Sequence, residues 1–266
     1  MCGIVGYVGP KNAVPLLIEG LKRLEYRGYD SAGVAVRQAD GALAVRKRVG
    51  RLANLEEALE SQPVAGGLGI GHTRWATHGE PSEVNSHPHL DGAENIAVVH
   101  NGIIENYQTL RADLEAKGHV FKSQTDTEVL PHLIAEILKG GNKGHAEAVR
   151  EALRSAKGAY ALGIVFRDEP DVLYAARCGS PLIIGVGQGE QFIASDVPAI
   201  LNRVQQVIYL NDGEVAELRR SGVVLTRLDG TPVPAEIKSV TLKAEAAERA
   251  GFETFMLKEI HEQPRV

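Results

Sequence analysis

The second residue of this chain is a cysteine, set in the run Met1-Cys2-Gly3-Ile4-Val5-Gly6. A methionine ahead of a small side chain is ordinarily trimmed, so the mature chain is expected to begin at Cys2. One residue would then carry a thiol and a free α-amine. A deprotonated thiol is a strong nucleophile, and an α-amine with a pKa near ~8 can serve as a base at neutral pH. That pairing is the chemistry of hydrolases in which the terminal amine replaces the histidine of a triad. The competing reading is a structural cysteine buried near a chain end.

Four more stretches carry polar and turn-forming residues that a packed core would not choose. In His72-Thr73-Arg74-Trp75-Ala76-Thr77-His78-Gly79-Glu80-Pro81, the Arg74 fork could grip a carboxylate and Trp75 could cover a bound ligand. The alternative is that Trp75 is core and Arg74 pairs with a surface acid. In His100-Asn101-Gly102 the side-chain amide and the glycine N–H could form an oxyanion hole, although a bare Asn-Gly is more often a turn. Within Ser123-Gln124-Thr125-Asp126-Thr127-Glu128, Thr125 or Asp126 can cap the following helix, and a carboxylate there could instead bind an ammonium. The stretch Arg23–Gly33 reads as a capped loop with surface ion pairs.

Several other chemistries find no support. The glycine runs at Gly3, Gly6, Gly9 and at Gly185, Gly187, Gly189 fit neither phosphate-loop pattern and read as strand-turn glycines. His87-Pro88-His89 has no further ligands at metal spacing, so each histidine is expected to be a loop hydrogen-bonder. The two cysteines, Cys2 and Cys178, cannot be paired by any sequence argument, and the default is a reducing cytosol. Neither a secretory leader nor an apolar run of membrane-spanning length is present, and the net charge of -5 disfavours nucleic-acid binding. The basic cluster Arg46-Lys47-Arg48 is expected on a solvated strand face.

The elements that must hold these residues are mostly strands. Helical spacing recurs in Val14, Leu17, Ile18, Leu21 and Leu24, and in Val129 to Leu138, ending at Gly140-Gly141. Short β-type runs cover 4–8, 33–36, 43–45, 68–71, 96–99, 160–166, 172–175, 182–186 and 207–210. Asn211-Asp212-Gly213 predicts a hairpin into 214–218, and Asp229-Gly230 another turn. Strands outnumber helices, which predicts an α+β fold of largely antiparallel sheets with helices packed outside. Composition changes near Lys243–Gly251. Residues 1–242 are therefore expected to form one domain and 243–266 an exit segment.

Taken in order, the opening Met1-Cys-Gly-Ile-Val-Gly, Arg23-Leu-Glu-Tyr-Arg-Gly-Tyr-Asp-Ser-Ala-Gly33, His72 to Pro81, Val99-His-Asn-Gly-Ile-Ile-Glu-Asn106, Thr125-Asp-Thr-Glu128 and Lys258-Glu-Ile-His-Glu-Gln-Pro264 resemble one family. It is the class II glutamine amidotransferases, and within them the glutaminase domains of the glutamine-fructose-6-phosphate aminotransferases. The Cys-Gly-Ile start belongs to the whole class; the Arg23 and His72 stretches select the hexosamine branch.

The resemblance implies a four-layer αββα sandwich of two antiparallel sheets, the N-terminal-nucleophile hydrolase fold. It implies that Cys2 is the nucleophile and its amine the base, and that Asn101 and Gly102 form the oxyanion hole. Arg74, with Thr77 and His78, would bind the α-carboxylate of L-glutamine and Asp126 its α-ammonium. Trp75 would gate the site, and Arg27 would support it near the nucleophile. No cofactor or metal is implied, and the location is cytoplasmic. The partner would be a sugar isomerase domain that accepts the ammonia and is not contained in these 266 residues; the resemblance also allows a homodimer of the full-length enzyme. Two rival readings stand beside it: an amidotransferase serving a different acceptor, and a non-catalytic glutamine-binding module that kept the fold.

Overall fold

The computed structural model describes residues 2–25, 30–76, 79–240 and 260–261. Two sheets dominate. The first runs β15 (Lys238–Ser239), β11 (Gln206–Tyr209), β9 (Ile183–Val186), β10 (Gln191–Ala194), β1 (Gly3–Val8), β4 (Leu68–Arg74), β2 (Ser31–Arg37), β3 (Leu43–Val49). The second runs β14 (Pro232–Val233), β13 (Gly222–Arg227), β12 (Glu214–Arg219), β8 (Leu173–Cys178), β7 (Gly158–Phe166), β6 (Ile96–Ile104), β5 (His89–Leu90). All pairings between these strands are antiparallel.

The two-residue period of a strand sorts side chains into layers. From β1, Ile4 and Val8 point into the space between the sheets, where they meet Ala97 and Val99 of β6 and Ala161 and Val165 of β7. Val5 and Tyr7 point the other way, onto α1 (Ala13–Leu24). The second sheet repeats the pattern: Leu162, Ile164 and Phe166 of β7 face α4 (Val129–Lys139) and α5 (His145–Ser155). The order is helix, sheet, sheet, helix, with α2 (Leu52–Ser61) beside α1 and α3 (Tyr107–Ala116) beside α4. Strands with both faces covered read as continuous apolar runs, which is why 4–8 and 160–166 stand out in the sequence. Each such buried aliphatic contributes about 1.5–3 kcal/mol.

Three expectations need correction. Asn211-Asp212-Gly213 does not close a hairpin, because β11 pairs with β9 and β15 in one sheet while β12 pairs with β8 and β13 in the other. The turn is real, but it carries the chain between sheets, held by Gly213 N to Arg177 O at 2.8 Å and Gly179 N to Asp212 Oδ1 at 2.8 Å. The Asp229-Gly230 turn does join paired strands, β13 and β14. The basic cluster on β3 is split by the same period of two. Arg48 reaches Glu83 at 3.3 Å, but Lys47 turns inward and donates to Ser86 O at 2.8 Å, so the strand is not a solvated face there.

The third correction concerns the helix cap. Glu128, not Thr125 or Asp126, occupies the N-cap position of α4, and it makes no side-chain cap bond. Asp126 is spent elsewhere: its Oδ2 accepts the N–H of Ile104 on β6 at 2.7 Å. Residues 241–259 and 262–266, most of the expected exit segment, lie outside the described residues.

Candidate active site

The register of the first sheet brings Cys2 to its partners. Gly3 of β1 pairs with Thr73 of β4, which sets the residue before β1 against the end of β4. Trp75 N donates to Cys2 Sγ at 3.2 Å, and Sγ lies 3.6 Å from Trp75 O. Across the gap between the sheets, Asn101 Nδ2 donates to Cys2 O at 3.0 Å. Asn101 and Gly102 are not a turn; they continue β6, paired with Ala161 and Tyr160 of β7. Gly102 has φ of 131°, and a Cβ there would fall 2.0 Å from Ala159 O, so only glycine lets the strand run on at this point.

These residues line a cavity of about 260 Å³ together with Arg74, Trp75, Asp126 and His100. Arg74 is buried, with Nη2 donating to Gly79 O at 3.0 Å. Trp75 is half exposed rather than core, on the cavity's rim. Asp30, in the stretch read as a surface loop, accepts from Ala76 N and fixes the turn after β4. Arg27, Thr77 and His78 lie outside the described residues. Sequence reading missed His87, Thr125, Thr127, Ser180 and Pro181 as lining residues. Ser180 and Pro181 arrive from the loop after β8, distant in sequence and unmarked by any motif.

Burial pushes the Cys2 thiol above its ordinary pKa; the Trp75 N–H and the Arg74 charge pull the other way, and Asp30 adds to the rise. The thiol therefore rests protonated and needs a base. Among the described residues its hydrogen bonds are with Trp75 alone. The histidines nearby do not substitute. Burial drives His72 down to about 3, and lowers His87, His89 and His100 as well. His100 is committed to Thr127 Oγ1 at 2.8 Å. His87 is no loop hydrogen-bonder: its ring is buried and stacks on His72 with centroids 4.2 Å apart. His89 does bond a loop hydroxyl, Thr125 Oγ1, at 3.1 Å. No cluster of three or more His, Cys, Asp or Glu among the described residues is arranged to hold a metal ion.

A thiol, a side-chain amide and a buried guanidinium thus line one cavity of a fold built on two antiparallel sheets. Residues 72–202 match the glutamine amidotransferase domain model, and the chain belongs to that family. Over its whole length the chain is 56% identical to the glutamine–fructose-6-phosphate aminotransferase (isomerizing) of Clostridium perfringens and 54% identical to that of Thermus thermophilus. It spans 43% of the length of each of these relatives. Among solved structures it resembles the glutamine phosphoribosylpyrophosphate amidotransferase of B. subtilis, with TM-score 0.74 and 28% identity over 85% of this chain and 49% of that one. A glutamine aminotransferase class-II domain protein from Silicibacter pomeroyi shares the fold, with TM-score 0.57 and 16% identity over 85% of this chain and 99% of that one.

Proposed function

We propose that this chain hydrolyses the side-chain amide of L-glutamine through a thioester on Cys2. The observation that carries the reading is the convergence of Cys2, Asn101, Gly102, Arg74 and Asp126 on one cavity. With Met1 removed, the α-amine of Cys2 takes the thiol proton and Sγ attacks the carboxamide carbon. The tetrahedral oxyanion is held by Asn101 Nδ2 and Gly102 N, the ammonium returns the proton to the leaving nitrogen, and ammonia departs. Water then attacks the thioester, its proton passing to the same amine, and glutamate leaves with the thiol restored. Arg74, with Thr77 and His78, grips the α-carboxylate and Asp126 the α-ammonium. Trp75 closes the cavity rim, and Arg27 supports the nucleophile.

Residues 1–242 form the glutaminase unit in this reading. In the longer protein the ammonia passes to a sugar isomerase domain and aminates fructose 6-phosphate, as the names of the relatives suggest. The free thiols of Cys2 and Cys178 suit a cytoplasmic location. The test is glutamate release by the processed chain and by a chain with one residue fixed ahead of Cys2, with thermal melts as a folding control. The blocked form should fold and be inactive, because an amide nitrogen takes up no proton near pH 7. Equal activity in the two would refute the amine-base mechanism.

A further inference from the structure

His72 is buried in the middle of the sandwich, on β4, and its Nε2 lies 3.0 Å from His100 O and 3.0 Å from Asn101 Oδ1. A backbone carbonyl can only accept, so the contact with His100 O requires that Nε2 carry the proton. The same N–H is then shared with Asn101 Oδ1. At the far end of that amide, Asn101 Nδ2 meets a second carbonyl, Cys2 O, at 3.0 Å. Two acceptors thus bracket the pair. Turning the amide over would set Oδ1 against Cys2 O and Nδ2 against an N–H, losing both bonds.

The ring itself is held in place. His87 stacks on it at 4.2 Å, and that approach depends on Gly33, where a Cβ would fall 2.2 Å from His87 O. Among the described residues His72 Nδ1 has no hydrogen-bond partner, so the bonds at Nε2 alone decide the tautomer. The ring's depressed pKa agrees with a neutral, single-donor imidazole.

We propose that His72 is a positioning residue: its Nε2–H fixes the amide of Asn101 with Nδ2 toward Cys2, leaving the second Nδ2 hydrogen for the oxyanion. This rests on the reading of Asn101 as an oxyanion donor. The role is that of a partner which orients a catalytic group without touching substrate, as a triad acid orients its histidine.

The test is a double-mutant cycle on glutamate release, with thermal melts. Asn101→Ala should lower kcat by about 10²- to 10³-fold, the usual cost of one oxyanion donor. His72→Leu should lower kcat by roughly 10- to 100-fold with KM within about 2-fold, because Arg74 and Asp126 still bind substrate. His72→Gln, which keeps an N–H at nearly the same reach, should recover most of the loss. In the Asn101→Ala background His72→Leu should cost less than about 3-fold, since the group it orients is gone. If the Leu protein melts below assay temperature, His72→Met, similar in length and without a donor, takes its place. An equal loss in both backgrounds, or a rise in KM with kcat intact, would overturn the role of His72 alone. Wild-type activity in Asn101→Ala would overturn the oxyanion assignment and this inference with it.

Discussion

Two cavities open beside the loops around 80–92 and 120–128, and the larger is not the one at Cys2. The cavity at Cys2 is about 260 Å³; its neighbour, lined by Lys47, Arg48, Glu83, Lys122, Ser123 and Glu128, is about 420 Å³. The larger one is richer in charge, but its charges answer one another. Glu128 takes the N–H groups of Lys122 and Ser123 and the Ser123 hydroxyl at 2.6–2.8 Å, Lys47 donates to Ser86 O, and Arg48 reaches Glu83. At Cys2, by contrast, a thiol, the Asn101 amide and the Arg74 guanidinium face one open space. Converging groups, not volume, separate a site from a fold-stabilising network.

Substitutions can break that contrast. Cys2→Ala should abolish glutamine hydrolysis, a loss of about 10⁴-fold or more, while calorimetry still detects glutamine binding. Parallel loss of binding and activity would make Cys2 structural, and the two cavities would no longer differ in kind.

Glu128→Gln should act on stability, with a drop of about 2 kcal/mol from weakened charge-assisted hydrogen bonds, and leave the kcat of glutamate release within about 3-fold. Burial alone would raise this carboxyl, but His132 and the donors at 122–123 overcome that and hold it at about 2. Its unfolded value is near ~4.3, so the contribution is present above that pH and is lost as pH falls toward 2. Melts of the two proteins should converge over that window. A gap that stays constant down to pH 2 would show that the carboxylate's charge is not what stabilises.

The smallest effect is expected at Lys47, which burial pushes down to about 8. The slope again runs upward with pH, but here because burial penalises the charged form rather than because partners favour it. Between pH 8 and about 10.4 the unfolded chain holds a proton that the folded chain has released, so stability rises with pH. Lys47→Met should remove that rise in the melting temperature and change glutaminase activity by less than about 3-fold. A large activity loss would tie the second cavity to the reaction after all.

The sequence made much of this arrangement legible, for identifiable reasons. Cys2, Arg74, Asn101 and Asp126 stood out because polar and small residues interrupt apolar runs, and β1, β4, β6 and β7 because both faces are buried. What escaped depends on partners far along the chain. Asp126 reads as a cap until Ile104 N claims its carboxylate, and Asn211–Gly213 fits a turn whichever sheets the flanking strands join. His72 gives no local signal, because its role is set by Asn101 in the opposite sheet. Spacing also leaves α2, α3 and α5 unmarked in the sequence reading: α3 buries Leu114 alone and half of the α5 face is alanine, at Ala148 and Ala152, whereas α2 does carry Leu52, Leu55 and Leu59 at helical spacing over a single short helix.

The crossing at Asn211–Gly213 is one of four at which the described strands change sheet, the others falling between β4 and β5, β8 and β9, and β14 and β15. Neither sheet is a continuous piece of chain. All the residues assigned to the proposed reaction lie between Cys2 and Asp126, but β1, which begins directly after Cys2, is hydrogen-bonded on one side to β10 at 191–194. During synthesis the chemical groups are all made early, while the strand that follows Cys2 waits for a neighbour about 190 residues later. Closing such long loops is slow, because their entropy must be lost before the contacts repay it. A ribosome-bound chain that already contains every reacting group is therefore still without a formed site, and activity begins only when the last interleaved strands arrive.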